Sequence, residues 1–233
     1  MKPIKSFAVA MAGLVLAAAS SHAVPLPNLL VSGATIQVGD KIFGNFTWDG
    51  TGGSGSAAGI NVTGIGDGTS GSLYGIQFGG GLSQVGTGTS DWQLGYSVTI
   101  APGYDNYISD IHQYANFGGT LGSYVNITED VLDAPGGNSV AASHLGQGIN
   151  YAYIDQTDPP AELNDSLVLG TPLQQVWIEK DIQLRAFSPS DDVSMSILQQ
   201  RFSQVPEPTT AGCFLLGLGA LVCCQRFTKN RRS

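Results

Sequence analysis

The chain has 233 residues, 32 glycines and a formal net charge of −8, and only 12% of its residues are charged. The length suits one globular domain with short terminal segments, and the scarcity of strong helix formers in the middle of the chain is typical of a β-protein. Residues 24–205 contain 4 basic and 17 acidic residues, a net charge of −13. This acidic body argues against nucleic acid as a partner, because nucleic-acid binding depends on Lys and Arg.

The first 23 residues have the three parts of a secretory signal peptide. Lys2 and Lys5 precede an apolar run over residues 7–19, and the small residues Ser21 and Ala23 flank one position before the expected cut. We therefore predict cleavage by signal peptidase after Ala23 and export of the remaining chain through the inner membrane. A permanent N-terminal anchor is the alternative, but the run is short for a membrane span.

From residue 33 onward, apolar and polar residues alternate with the two-residue period of β-strands. The clearest case is the segment 92–100, in which Trp92, Leu94 and Tyr96 share one face. The predicted strands are 34–38, 42–48, 60–63, 74–78, 92–100, 124–131, 149–154, 176–187 and 193–197. The predicted turns between them include 50–55, 64–71, 79–81 and 134–138.

This pattern predicts an all-β body over residues 24–204, a two-sheet β-sandwich that is jelly-roll-like in class. No helix of globular length is predicted in the body, and the best place for a single helical turn is 158–171. The sheet core must stabilise the body without disulfides, because all three cysteines, Cys213, Cys223 and Cys224, follow it in the sequence.

The sequence predicts no enzyme. It has no Gly-x-Ser-x-Gly nucleophile elbow and no zinc motif, and without a cysteine in the body thiol catalysis is excluded there. Asp110 and His112 are two residues apart, so they would share one face if this segment formed a strand, and His112 could then act as a base that Asp110 orients. An exposed polar face is the simpler interpretation. Carboxylates for glycoside hydrolysis would have to meet across strands, at a separation that a sequence does not show.

Two groups of residues have the chemistry of ligand sites. The loop Tyr104-Asp105-Asn106-Tyr107 combines flat apolar rings with planar polar groups, as glycan sites do, with ordinary packing as the alternative. Oxygen ligands in loops suit Ca²⁺, but the spacing of the carboxylate clusters matches no known calcium loop. Solvated acidic turns are therefore the simpler interpretation of these clusters, and no cofactor is predicted. The clusters are Asp155, Asp158, Glu162 and Asp165, and Asp191 with Asp192.

The C-terminal 29 residues have three parts in a fixed order. Val205-Pro206-Glu207-Pro208 precedes an apolar segment, predicted as a short transmembrane helix over 209–225, and a basic tail over 226–233. A helix over the uncharged residues 211–224 would span only ~21 Å of the ~30 Å hydrocarbon core, but the basic tail favours a membrane segment with that tail in the cytoplasm.

This arrangement resembles the PEP-CTERM sorting signal of Gram-negative bacteria that make exopolysaccharide. The resemblance implies that Pro206, Glu207 and Pro208 are recognised by exosortase, a membrane transpeptidase-like enzyme, which removes the helix and tail. The segment 38–47, with its turn Gly39-Asp40-Lys41, also resembles a recurring opening of PEP-CTERM bodies, and Ile127-Thr128-Glu129 resembles a strand motif of that group.

Two functions remain open at this point. The first is an exported cell-surface or extracellular-matrix protein with a structural or interaction role linked to exopolysaccharide or biofilm. The second is a carbohydrate-binding β-sandwich module that engages the exopolysaccharide itself, with or without Ca²⁺. In both cases the inner membrane holds the chain only until it is processed.

Overall fold

Alternating apolar side chains form two stacked β-sheets in the computed structural model, which describes residues 15–17, 22–51, 55–66, 73–120, 123–148 and 164–206. The short elements are β1 (Val15–Ala17), β2 (Val24–Pro25), α1 (Leu26–Leu29), β3 (Thr35–Val38), a 3₁₀ turn (Ala57–Gly59) and β5 (Asn61–Ile65). The long strands are β4 (Lys41–Thr51), β6 (Tyr74–Val85), β7 (Gly88–Ile100), β8 (Asn106–Gly119), β9 (Ser123–Leu132), β10 (Ser139–Gly148), β11 (Asn164–Leu173), β12 (Gln175–Ala186) and β13 (Asp192–Pro206).

The strands are divided between two sheets, which we call sheet A and sheet B. Sheet A has the order β1-β3-β4-β7-β12-β9-β10, and sheet B has the order β11-β8-β13-β6-β5-β2. From β6 to β9 the chain alternates between the sheets. Apart from the parallel pair β1–β3, the pairs within the described residues are antiparallel. The prediction of an all-β, two-sheet sandwich is confirmed.

The core lies between the sheets and contains the face predicted for the segment 92–100. Trp92, Leu94 and Tyr96 are each at most 2% exposed. The Tyr96 ring lies 5.6 Å from Phe46 and 5.7 Å from Phe78, measured between centroids. Aromatic pairs at these separations add to the stabilisation that comes from burying apolar area.

The predicted turn at 79–81 is wrong, because these glycines lie inside β6. Between Met195 and Ile197 of β13 the pairing with β6 shifts register. Gly80 and Gly81 therefore oppose Ser196 alone and form a β-bulge. A Cβ at Gly80 would lie 2.4 Å from the carbonyl oxygen of Gly59. The two glycines therefore let the strand bend and let the Gly59 backbone come close. The chain does not reverse its direction here, as a turn would require.

The sequence did not predict three long strands, β8, β10 and β11. The predicted helical turn at 158–171 is wrong over residues 164–171, which belong to β11. The predicted strand 149–154 lies outside the described residues, as do residues 158–163.

The predicted signal peptide and sorting motif adjoin or overlap the terminal strands of the sandwich. Ala23 is exposed and directly precedes β2, and β13 continues to Pro206, where it pairs with Asn106 of β8. β1 falls within the predicted signal peptide. Glu207, Pro208 and the predicted segments 209–225 and 226–233 lie outside the described residues. No helix in the described ranges is both long and apolar enough to cross a membrane.

Candidate functional site

The outer face of sheet A is formed by the side chains that alternate with core residues on its central strands. Along β12, Ile178 and Ile182 are buried in the core, so Trp177, Glu179 and Asp181 lie on the outer face. Strands β7 and β9 pair with the two edges of β12 and extend this face on both sides.

A groove of about 400 Å³ runs over this face, which we call the sheet A groove. Its walls combine one half-buried indole ring with amide and carboxylate side chains. The groove is lined by Asn45, Gln93, Asp130, Trp177, Glu179 and Asp181, among others. Ligand sites usually have this form, a concave surface with an apolar patch and a few convergent polar groups.

Gly95 lies on the central strand β7 at the floor of the groove. It pairs with Thr47 of β4 on one side and with Glu179 of β12 on the other. A Cβ at position 95 would lie 2.4 Å from the Oγ1 atom of Thr47, so a larger residue would displace the Thr47 side chain. The glycine therefore lets the Thr47 hydroxyl lie over β7.

One wall of the groove contains a β-bulge in β4. The register of β4 against β7 shifts between Gly44 and Thr47. Within the bulge, Asn45 has a φ of 54°, a left-handed conformation that non-glycine residues rarely adopt. The Asn45 amide donates a hydrogen bond to Ser97 Oγ at 2.9 Å. Bulges and strained residues are over-represented beside functional sites, and this one presents an exposed amide to the groove.

Like-charged carboxylates face each other in the groove. Glu179 lies directly opposite Asp130 in the β12–β9 pairing, an arrangement that costs stability. Burial raises the pKa of Asp181, and the nearby carboxylate of Asp91 on β7 raises it further. The Asp181 Oδ1 atom is buried without a hydrogen-bond partner within the described residues. The groove thus concentrates oxygen atoms at a cost in stability that packing alone does not explain.

The Asp91–Asp181 pair predicts how stability depends on pH. Because the pKa of Asp181 is raised from 3.8, folding favours its protonated form. Its contribution to stability is complete below that value and is lost as the pH rises through the raised pKa. We expect the advantage of the wild type over Asp181→Asn to shrink as the pH rises from about 3 to about 7 in urea unfolding. Parallel curves of stability against pH for the two proteins would contradict the raised pKa of Asp181.

The predicted pair Asp110–His112 lies on the outer face of sheet B. The His112 Nε2 atom is 3.0 Å from Asp110 Oδ1, and Ser203 donates to the same carboxylate oxygen. The serine therefore bonds the carboxylate, and this geometry does not provide a serine activated by histidine. His112 also lines a second groove of about 520 Å³, together with Tyr114 and Arg201.

The predicted loop Tyr104-Asp105-Asn106-Tyr107 lies just before and at the start of β8. Tyr104 is 48% exposed, and the Asn106 amide donates to Asp40 Oδ2 at 3.2 Å. None of the four residues lines either groove described above. The structure does not bring the loop together with the sheet A groove, and its role in glycan binding stays a prediction.

The carboxylates considered for Ca²⁺ lie apart in the described part of the chain. Asp165 is on β11, whereas the buried Asp191 accepts backbone hydrogen bonds from Phe187 and Ser188 and closes a turn. Asp155, Asp158 and Glu162 lie outside the described residues. Across the described ranges, no three His, Cys, Asp or Glu side chains are close enough to hold a metal ion.

Sequence reasoning missed the sheet A groove, although part of its signal was present. The predicted strand 176–187 places Trp177, Glu179 and Asp181 on one face. Asn45 and Asp130 reach the same groove only through the pairing of β4 and β9 with the central strands, which the alternation does not reveal.

Comparisons with known proteins do not assign a family. No family model matches the chain, and no curated protein matches it. A solved structure that matches is the carbohydrate-binding module TmCBM61 in complex with beta-1,4-galactotriose, which is 14% identical with a TM-score of 0.33. The match covers 70% of this chain and 89% of that chain.

Proposed function

We propose that this chain is an exported β-sandwich that binds a neutral polysaccharide in the sheet A groove. Of the two functions expected from the sequence, the carbohydrate-binding one has the better structural support. The observation that carries the proposal is the half-buried indole of Trp177, which lines the groove together with amide, carboxylate and hydroxyl side chains.

The chemistry of the groove fits a sugar chain. A pyranose ring has an apolar C–H face that stacks on an indole ring, and hydroxyl groups that need planar hydrogen-bonding partners. The amides of Asn45 and Gln93 donate and accept, while Glu179 and Asp130 accept from hydroxyl groups. Sugar hydroxyls between Glu179 and Asp130 would also relieve their mutual repulsion.

The charge of the groove favours a neutral glycan. Its acidic side chains include Asp130, Glu179 and Asp181, and the one basic residue in its lining, Lys180, has its side chain buried on the core side of β12. Uronic-acid or sulfated polymers would therefore be repelled. The occupant that fits is a polymer of neutral hexoses, of the kind found in an extracellular matrix.

The localisation proposed for the protein follows from its two terminal segments. We propose cleavage by signal peptidase after Ala23 and recognition of Pro206, Glu207 and Pro208 by exosortase, which would release a mature protein at the cell surface or outside the cell. The exposure of Ala23 supports the first step. A matrix-bound protein of this kind would also fulfil the structural role linked to exopolysaccharide or biofilm.

Affinity electrophoresis tests the binding proposal. The purified protein is run in native gels that contain neutral galactan, glucan or mannan, or acidic alginate or polygalacturonate. We expect at least one neutral polymer to retard the protein, both with and without EDTA, and the acidic polymers to leave its mobility unchanged. Unchanged mobility in every neutral polymer would overturn the proposal.

A further inference from the structure

The two lysines of the body are both buried between the sheets. Lys41 and Lys180 are the only lysines in residues 24–205, and both side chains are 0% exposed. Lysine is almost never fully buried, because its ammonium group is strongly hydrated and its long side chain loses rotamer freedom. Placing both of them in the core needs a reason beyond solubility or surface charge.

Lys180 meets a carboxylate and a carboxamide in the centre of the sandwich. Glu129 lies directly opposite it in the β12–β9 pairing, also with 0% exposure, and accepts a hydrogen bond from Lys180 Nζ. From the facing sheet, Gln113 of β8 offers its Oε1 atom at 2.9 Å from the same nitrogen. Gln200 of β13 donates to the other oxygen of Glu129 at 3.1 Å.

This placement brings an amine close to an amide carbon. A carbonyl bond is about 1.23 Å long, so Lys180 Nζ lies no more than about 4.1 Å from Gln113 Cδ. Reacting groups held about 3–3.5 Å apart gain a large effective concentration, and Lys180 Nζ would reach that range by moving less than about 1 Å. Burial lowers the pKa of Lys180, against the opposing effect of Glu129, and this favours the neutral amine that acts as a nucleophile.

The polar network around Glu129 is not fully hydrogen-bonded. Tyr96 Oη and Gln200 Oε1 are buried polar atoms without a hydrogen-bond partner within the described residues. Gln200 donates to Glu129, and burial raises the pKa of Tyr96, with a smaller effect from the charge of Glu129. A buried network that only stabilised the fold would provide hydrogen-bond partners for these atoms. Buried polar atoms without partners are expected instead around a reactive centre.

We propose that Lys180 and Gln113 become joined by an intramolecular isopeptide bond, with Glu129 as the proton carrier. Lys180 first passes one proton to Glu129 and becomes a neutral amine. Its Nζ atom attacks Gln113 Cδ, and the Nζ–Cδ bond forms. Glu129 gives its proton to Nε2 and takes one from Nζ, the Cδ–Nε2 bond breaks, and ammonia leaves. No oxidant, metal or further reactant is needed.

The bond would connect sheet A to sheet B through β12 and β8, across 67 positions of the sequence. A cross-link of that span restricts the unfolded chain as a long-range disulfide does. The body contains no cysteine to form a disulfide. The isopeptide bond would therefore give an exported protein a covalent cross-link that reducing agents do not cleave.

Mass spectrometry of the full chain tests the proposal. Loss of ammonia lowers the mass by about 17 Da per bond. Digestion at the N-terminal side of aspartate separates residue 113, in peptide 110–129, from residue 180, in peptide 165–180. We expect these two peptides to be recovered as one cross-linked species. A full chain at its unmodified mass, or the two peptides recovered separately, would overturn the proposal.

Two variants serve as matched controls, and the wild-type result does not depend on either of them folding. Lys180→Arg keeps the charge opposite Glu129 but should abolish the cross-linked species. Lys41→Arg should retain it. Lys41 has a comparable environment at the edge of the sandwich, with Asp40 at 2.8 Å and Gln204 at 2.5 Å. A cross-link found only between Lys41 and Gln204 would also overturn the assignment to Lys180.

Discussion

Replacing Lys180 by Met is expected to lower the free energy of unfolding by about 3–5 kcal/mol, the usual cost of leaving a buried charge without its partner. Glu129 would remain fully buried, with Gln200 as its remaining described donor. Where the proposed isopeptide bond has formed, Lys180 carries no charge, and the loss of the cross-link replaces the loss of the ion pair as the cause of the destabilisation. Urea unfolding followed by tryptophan fluorescence measures the change.

The matched control is Arg185→Met on the same strand. Arg185 is exposed, and its guanidinium lies 4.7 Å from the Phe187 ring centroid, so its loss should cost no more than about 1 kcal/mol. The double variant Lys180→Met with Glu129→Leu should recover part of the stability, because apolar residues can replace a buried ion pair. If Lys180→Met costs as little as Arg185→Met, the description of a buried, paired lysine is wrong.

Replacing Trp177 by Ala is expected to weaken binding of the neutral polysaccharide at least about tenfold, which corresponds to about 1.4 kcal/mol. The indole ring supplies the apolar platform of the groove, and large aromatic residues commonly dominate binding energy. Because Trp177 is only partly buried, on the outer face of sheet A, the melting temperature should change little. Isothermal titration calorimetry against the polymer identified by electrophoresis measures the affinity.

Tyr114→Ala provides the comparison for Trp177→Ala. Tyr114 is also partly buried, but it lines the groove on the outer face of sheet B. The affinity should therefore be unchanged in Tyr114→Ala. The reverse pattern, with binding lost in Tyr114→Ala and kept in Trp177→Ala, would show that the binding site lies on the outer face of sheet B.

The sequence predicted strands well where one face is apolar and the other polar. The segment 92–100 follows this rule, and its apolar face is buried in the core. β8 breaks the rule, because Ile108 and Ile111 are both buried although they are three residues apart. The pairing of β8 with β13 shifts register between Ser203 and Gln204, which adds a residue and reverses the alternation. A two-residue period does not detect such a strand.

The groove and the buried lysines were hidden for another reason. Asn45, Gln93 and Trp177 come from three strands and meet only when those strands pair in the observed register. Long-range register depends on the whole sheet and is not contained in local alternation. Lys180 stands at an inward position of its strand, but its partner Gln113 belongs to a strand of the other sheet that the alternation missed.

The most direct test of the binding account is an NMR titration of the ¹⁵N-labelled protein with the polysaccharide that retards it. The chain has three tryptophans, at positions 48, 92 and 177, and therefore three indole N–H signals. The Trp92 indole is engaged inside the sandwich, where it donates to the Gly55 carbonyl at 3.0 Å. We expect the Trp177 signal to shift and saturate with the polymer, while the Trp92 signal stays in place. Saturable binding that leaves the Trp177 signal unmoved would contradict the assignment of the sheet A groove.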